Sequence, residues 1–158
     1  MRSLRSQALQ WLSQREHSRA ELQRKLLQVM QSPSRFEYTD AAQWEAGSLQ
    51  VVTQLLNELE ASGYLNEARF IESRVHNRAR KWGLHRIQQE MRQHDVCLPT
   101  DAIDALKQTE LERAQLIWQR KFSTPPTNPI EKAKQIRFLI GRGFSSETIK
   151  TLFKAINL

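Results

Sequence analysis

The sequence predicts an all-α protein, an elongated array of about nine short helices in three tandem three-helix repeats. Apolar residues recur every three or four positions along most of the 158-residue chain, and the alternation typical of strands is absent. The five glycines and five prolines lie between these periodic segments, as helix-terminating residues do. Two stretches also resemble later stretches of the chain. We therefore expect one helical-repeat domain over residues 1–158.

The first three helices are predicted from apolar spacing and from their caps. Ser18 and Glu21 have the spacing of a capping box, so the second helix is predicted to start there. Residues 32–47 have no sustained period and are predicted to form a long, mobile loop. A third helix is predicted from Leu49 and ends at Gly63, which accepts left-handed backbone angles cheaply.

Six further helices are predicted after Gly63. The fourth ends near Gly83, the fifth follows it, and the sixth starts at Pro99. Thr109 and Glu112 have capping-box spacing and predict the start of a seventh helix. The eighth and ninth flank a turn at Gly143. The residues predicted to face inward on the last three are Leu111, Ala114, Trp118, Phe122, Ala133, Ile136, Ile140, Ile149, Leu152, Phe153 and Ile156.

The repeat is predicted from two alignments within the chain. At one offset, Ser18 aligns with Gly83, Leu22 with Ile87, and Leu26 with Met91. The segment 63–67 similarly resembles 143–147, in which a helix stops, an aromatic residue follows and a helix restarts. Stacked units of this kind contact mainly their neighbours and expose a long face. The predicted repeats cover about 1–64, 65–108 and 109–158.

Charge and cysteine content narrow the functional class. Lys and Arg total 24 against 17 Asp and Glu, a net charge of 24 − 17 = +7. Such a surface favours polyanions, which include DNA, RNA, anionic membranes and acidic protein faces. Cys97 is the only cysteine, which excludes an internal disulfide and a Cys-rich zinc site. No stretch approaches the roughly 18 apolar residues of a membrane span, so we expect a cytoplasmic protein.

No motif in the sequence predicts catalysis or a cofactor. No two of the four histidines are three or four residues apart, and Cys97 has no second thiol, so no metal site is predicted. The scattered glycines form no phosphate-binding loop, and no nucleophile, base and anion hole come together. We expect a protein that acts by binding a partner.

Two basic segments are the candidate contact surfaces. Arg74, Arg78 and Lys81 follow helical spacing beside an apolar stripe, so they are predicted to share one face. A row of exposed cations can follow phosphates or an acidic groove, although a solvated helix face is the usual role of a single charge run. The second segment contains Lys132, Lys134, Arg137 and Arg142.

Three motifs in order resemble the RecX family, whose members regulate the RecA recombinase. They are REHSRAELQRKL at 15–26, GYLNEARF at 63–70 and GLHRIQQEM at 83–91. Each motif alone is weak, and together they are fairly specific. Two departures stand out: Leu84 occupies a position that is often proline in the family, and Asp95 follows the fifth helix where the family commonly has glycine.

The resemblance implies a cytoplasmic bacterial protein without catalytic activity, which binds the RecA–single-stranded-DNA filament as a monomer. Such a protein limits filament growth, ATP hydrolysis and strand exchange, and so acts in DNA repair, recombination and the SOS response. Single-stranded DNA within the filament is a second expected contact. By motif position, the resemblance adds Arg15, Arg24, Lys25 and Arg86 to the expected partner- or DNA-binding residues.

A stand-alone nucleic-acid-binding protein or transcriptional regulator is the alternative. The same basic charge supports it, and His85, Arg86, Gln88 and Gln89 near the start of the fifth helix imitate a recognition helix. No obvious dimerisation segment follows, although a reader of paired half-sites needs one. The two functions differ in whether a defined DNA site is protected without RecA.

Overall fold

The computed structural model describes residues 3–31 and 41–157, for 41–46 the backbone only. This part of the chain contains eight α-helices and no β-strand, which confirms the all-α helical-repeat class. The helices are α1 (Leu4–Gln14), α2 (Arg19–Met30), α3 (Ala41–Ala61), α4 (Glu67–Ala79), α5 (Leu84–Gln93), α6 (Thr100–Lys121), α7 (Pro129–Gly141) and α8 (Ser146–Ile156). The chain divides into two compact units, residues 1–71 and 72–158.

Unit 1 (residues 1–71) packs α1, α2 and α3 around one core. Ser18 caps α2 as predicted, because its hydroxyl accepts a hydrogen bond from the Glu21 amide at 3.1 Å. The Glu21 carboxylate does not accept the reciprocal hydrogen bond from the Ser18 amide that a capping box contains, and it pairs instead with Arg15. The buried core residues of this unit are Ala8, Leu22, Leu26, Met30, Val52, Leu55, Leu56, Leu59 and Leu65.

Unit 2 (residues 72–158) has two neighbouring apolar clusters that share α6. The first joins α5 to the first half of α6 through Leu84, Ile87 and Leu106. The second packs α6, α7 and α8 together, and the Trp118 indole donates a 2.8 Å hydrogen bond to the Gln135 side chain inside it. The buried apolar residues of that second cluster are Ala114, Ile117, Trp118, Leu139, Phe144, Ile149, Leu152 and Phe153.

The predicted sixth and seventh helices form one continuous helix, so the predicted start at Thr109 is wrong. The Thr109 hydroxyl donates to the Ala105 carbonyl at 3.2 Å, a bond typical of threonine inside a helix rather than at its cap. No glycine or proline lies between Pro99 and Pro125, so nothing in the sequence forces the helix to stop. The described residues therefore contain eight helices rather than about nine.

Three smaller predictions also need correction. Helix α3 begins at Ala41, so residues 41–47 of the predicted loop are helical, whereas residues 32–40 lie outside the described residues. Leu111 and Ile140, which were predicted to face inward, are 39% and 55% exposed. Leu49 at the start of the predicted third helix is likewise 48% exposed. Apolar spacing places a residue on a face but does not show how far the neighbouring helix covers it.

The turn after α5 keeps the geometry of a glycine turn although Asp95 occupies it. Asp95 has φ +56°, and the Val96 amide donates to the Met91 carbonyl at 3.0 Å. This bond closes a Schellman motif, which usually has glycine in the left-handed position. Asp pays less than most residues for that conformation, so the departure from the family pattern leaves the turn intact.

Two glycines bring the turn before α5 against the turn before α8. The Gly83 amide donates to the Arg142 carbonyl at 2.7 Å, and the His85 amide donates to the Gly143 carbonyl at 3.1 Å. A Cβ on Gly83 would lie 2.4 Å from the Gly143 oxygen, which no side chain tolerates. Gly143 also has φ +89°. Both positions therefore require glycine, and we call this contact the glycine crossing.

A buried carboxylate reinforces the glycine crossing from α6. Glu110 is 4% exposed and accepts a hydrogen bond from the Leu84 amide at 3.1 Å, at the start of α5. Its other oxygen accepts from the Ser145 hydroxyl at 3.1 Å and the Thr148 hydroxyl at 2.6 Å, at the start of α8. One carboxylate thus interacts with the positive ends of two helix dipoles.

Substitution of Gly83 tests the glycine crossing. We expect Gly83→Ala to destabilise the protein by about 3 kcal/mol, because the new methyl group must displace backbone rather than a flexible side chain. Thermal unfolding followed by circular dichroism measures the change. Gly141→Ala is the matched control, since nothing lies within 4 Å of its Cβ position, and equal losses for the two variants would contradict the crossing.

Asp95→Gly should stabilise the protein by about 0.5–1 kcal/mol, because it removes the cost of a left-handed side-chain-bearing residue. Part of that gain is offset by the greater backbone entropy of glycine in the unfolded chain. Asp95→Ala should change stability in the opposite direction. Denaturant unfolding of both variants provides the measurement, and destabilisation by glycine would show that the turn has another conformation in solution.

Candidate functional site

A basic groove lies where α4, α6 and α7 end in unit 2. Its cavity of about 360 Å³ is lined by five cationic residues together with Ile117 and Phe138. We call this set the basic groove. Its cationic residues are Arg80, Lys81, Arg120, Lys121 and Arg142.

Helix ends position each cation of the basic groove. Arg80 and Lys81 directly follow α4, whereas Arg120 and Lys121 lie in the last turn of α6 and Arg142 caps the end of α7. Basic residues are favoured near helix C-termini because the helix dipole is negative there. The sequence therefore places these cations for local reasons, and the fold of unit 2 gathers them.

Phe138 forms an aromatic wall of the basic groove. Its ring meets the Phe122 ring edge to face, with centroids 5.3 Å apart. The Lys121 ammonium and the Arg142 guanidinium lie 5.8 and 5.1 Å from the Phe138 centroid. Such cation–π contacts hold long side chains without neutralising their charge.

The charge of the basic groove is largely uncompensated. Among the side chains that the structure describes, none of the five cations forms an ion pair within 4 Å. Three helix C-termini contribute partial charges of about −0.5 each, far less than five full positive charges.

Arg113 satisfies two backbone carbonyls near the basic groove, since it donates to the Ala79 carbonyl at 3.3 Å and to the Trp82 carbonyl at 2.7 Å. Burial lowers the pKa of Arg113, and the Coulombic attraction of Glu110 partly opposes that shift.

The predicted row of Arg74, Arg78 and Lys81 is only partly available to a partner. Arg78 donates to both oxygens of Glu90 at 3.0 and 3.1 Å, and Arg74 approaches the same carboxylate at 3.4 Å. Because Glu90 is only 13% exposed, this carboxylate is partly shielded from water. Lys81 differs, since it lies past the end of α4 in the basic groove.

Arg86 binds within unit 2 beside the glycine crossing. Its guanidinium donates to the Gly141 carbonyl at 3.0 Å and lies 4.3 Å from the centroid of the Trp82 ring. Arg78 also contacts this ring, at 4.8 Å. Arg86 and Trp82 line an open cleft of about 420 Å³ along α5. His85 and Gln89, from the part of α5 that imitates a recognition helix, line the same cleft.

The predicted residues of the first motif lie in unit 1. Arg15 pairs with Glu21, and the Lys25 ammonium lies 3.1 Å from His17 Nε2 and 5.2 Å from the Trp11 centroid. Burial lowers the pKa of His17, so its ring favours the neutral form beside Lys25. Arg24 is exposed on α2.

The predicted cluster of α7 is divided by the fold. Lys132 lines a second groove between α7 and α8, whereas Arg142 lines the basic groove. Lys134 and Arg137 are exposed on α7 and line neither of these grooves. Of the sequence-predicted residues, Lys81 and Arg142 meet in the basic groove.

Arg80, Arg120 and Lys121 were missed as site residues. Arg80 belongs to the basic segment around α4 and α5, but sequence spacing gave no reason to separate it from its neighbours. Arg120 and Lys121 form a basic doublet before the proline-rich segment 124–129. Such a doublet at a helix end is the available signal, and only the tertiary fold brings it to Lys81.

Two features of other classes of protein are absent from the described part of the chain. No group of three or more His, Cys, Asp or Glu residues is arranged to hold a metal ion there. Within the same residues, no helix is both long and apolar enough to cross a membrane.

Comparison with known proteins assigns the family. Family models described as the RecX second and third three-helix domains match residues 66–97 and 108–153. The regulatory protein RecX of Leptothrix cholodnii is 42% identical, with 96% of this chain and 88% of the relative covered. This chain belongs to the RecX family. The regulatory protein RecX of Ralstonia nicotianae is similar at 39% identity over 96% of this chain and 87% of its own length.

Solved RecX structures have the same fold. RecX from Lactobacillus salivarius superposes with a TM-score of 0.70 at 17% identity, covering 98% of this chain and 94% of that one. A second structure, described as regulatory protein RecX, has a TM-score of 0.68 at 20% identity and covers 96% of this chain and 71% of its own. The match at 108–153 begins inside α6, so this helix belongs in part to the third RecX three-helix domain. Relatives of this chain are named as regulatory proteins, which agrees with a regulatory role.

Proposed function

We propose that this chain negatively regulates a RecA recombinase by binding the RecA–single-stranded-DNA filament. Bound there, it limits filament growth, ATP hydrolysis and strand exchange, and acts in the cytoplasm as a monomer in DNA repair, recombination and the SOS response. Membership of the RecX family supports the regulatory role. The further step to filament binding depends on the basic groove.

The uncompensated charge of the basic groove is the observation that supports filament binding. Single-stranded DNA presents a phosphate at each nucleotide, and each cation that replaces a counterion adds to the salt dependence of binding. Arg80, Lys81 and Arg120 are exposed and can reach several phosphates in succession. Phe138 gives the groove a wall on which an unpaired base can pack.

A stand-alone DNA-binding protein is the second candidate, since the same cations attract free DNA. The α5 cleft with His85, Arg86 and Gln89 favours it. Arg86, however, already donates to the Gly141 carbonyl, so reading a base requires that bond to break. Gln88 is partly buried and does not line the cleft.

Charge reversal of Lys81 and Lys121 tests the proposal. We expect Lys81→Glu with Lys121→Glu to raise the concentration that half-inhibits DNA-dependent ATP hydrolysis by the cognate RecA about tenfold. The unaltered chain should inhibit well below one molecule per recombinase subunit. Salt dependence supplies a second readout, because loss of two phosphate contacts lowers the slope of log K against log salt by about 1.4.

Arg92→Glu with Lys107→Glu is the matched control. Both residues are exposed outside the basic groove, and each double variant changes the net charge from +7 to 7 − 4 = +3. Equal loss of inhibition in the two variants would show that bulk charge, not the groove, drives binding. No inhibition by the unaltered chain, together with footprinting of a defined DNA site without RecA, would favour the stand-alone candidate.

A further inference from the structure

A second groove in unit 2 has a mainly apolar floor, in which an exposed isoleucine lies beside residues of the core. It lies between α7 and α8, encloses about 440 Å³, and is lined by Ile136, Ile140, Ile149 and Phe153. Ile149 and Phe153 are core residues at 3% and 4% exposure, whereas Ile140 is 55% exposed. We call these four residues the isoleucine groove. Ile140 therefore gives the groove an apolar surface that a ligand can reach.

The rim of the isoleucine groove is basic. Lys132 lies on the α7 side, Lys150 and Lys154 lie on the α8 side, and the described residues that line the groove include no Asp or Glu. Residues 129–156 contain six Lys and Arg against Glu131 and Glu147, a net charge of 6 − 2 = +4. The floor therefore selects apolar groups, and the rim selects negative ones.

We propose that the isoleucine groove binds one amphipathic helix of a partner protein, with an apolar face on the floor and Asp or Glu residues facing the lysines. Positions 132, 136 and 140 extend over two turns of α7, about 12 Å. A ligand helix of similar length offers apolar anchors at i, i+3 or i+4, and i+7, the usual pattern of helix-in-groove recognition.

Charge complementarity favours an acidic helix over two other occupants. A second copy of this chain has a net charge of +7, so its surface and the lysine rim repel on average. A nucleic-acid strand satisfies the lysines but leaves the isoleucines in contact with phosphate or water. An acidic amphipathic helix satisfies both parts, because apolar burial drives affinity and the lysines set specificity.

The proposal goes beyond the proposed function and does not require it. The isoleucine groove with its rim and the basic groove share no lining residue. The test below uses no RecA and no filament, so its failure leaves the proposed function untouched. Conversely, loss of RecA inhibition in the Lys81 and Lys121 variant leaves this groove unaffected.

The test titrates two synthetic helical peptides, one at a time, into the full chain. The isoleucine methyl groups of the chain are isotope-labelled, so that their NMR resonances report binding. Both peptides have leucines at i, i+4 and i+7, and the remaining surface is glutamate in one and lysine in the other. We expect the glutamate peptide to shift the Ile136 and Ile140 methyl resonances and to bind about tenfold more tightly than the lysine peptide. Ile140→Ser should weaken the glutamate peptide about tenfold, because the half-exposed Ile140 contributes contact rather than core packing.

Reversal of the rim separates recognition from general charge. Lys150→Glu with Lys154→Glu should reverse the preference between the two peptides, whereas Arg92→Glu with Lys107→Glu, an equal charge change elsewhere, should preserve it. Equal affinity for both peptides, or unshifted Ile136 and Ile140 resonances, would overturn the proposal. So would a poly-dT oligonucleotide that shifts these methyl groups when the glutamate peptide does not.

Discussion

The glycine crossing is the contact on which the arrangement of unit 2 depends. Gly83 and Gly143 allow the turn before α5 to donate two backbone hydrogen bonds to the turn before α8, of which the one from the Gly83 amide to the Arg142 carbonyl is 2.7 Å. Glu110 fixes the starts of α5 and α8 on either side of it. The crossing thereby sets where α7 ends and where Arg142 enters the basic groove. One cation of the candidate site, Arg142, is therefore positioned next to a backbone contact that tolerates no side chain.

The cations of unit 2 have different roles, which are distinguished by the groups that each cation contacts within the chain. Arg74 and Arg78 stabilise the packing of α4 on α5 through Glu90, and Arg113 satisfies the carbonyls of Ala79 and Trp82. The cations of the basic groove lie at helix ends, where helix dipoles stabilise them without neutralising them. The net charge of +7 therefore does not show which cations are paired, nor that five of them line one groove.

Much of the fold follows from local signals in the sequence. Ser18 caps α2 and Gly63 has φ +78°, as predicted. Both features could be predicted because each depends on only a few neighbouring residues. The start predicted at Thr109 was wrong because a capping pattern inside a continuous apolar period does not interrupt a helix. The basic groove was only partly predictable, since Arg120 and Lys81 are 39 positions apart and meet through the packing of α6. Likewise, nothing in the sequence spacing marks Glu90 as the ion-pair partner of Arg78.

The most direct test of the central claim is the acetylation rate of individual lysines in the chain bound to a RecA–single-stranded-DNA filament, measured by mass spectrometry. Lys81, Lys107 and Lys121 are all exposed in the free chain. We predict a severalfold slower reaction at Lys81 and Lys121 on binding, and a smaller change at Lys107. Unchanged rates at Lys81 and Lys121 in a chain shown by co-sedimentation to be bound would contradict a role for the basic groove.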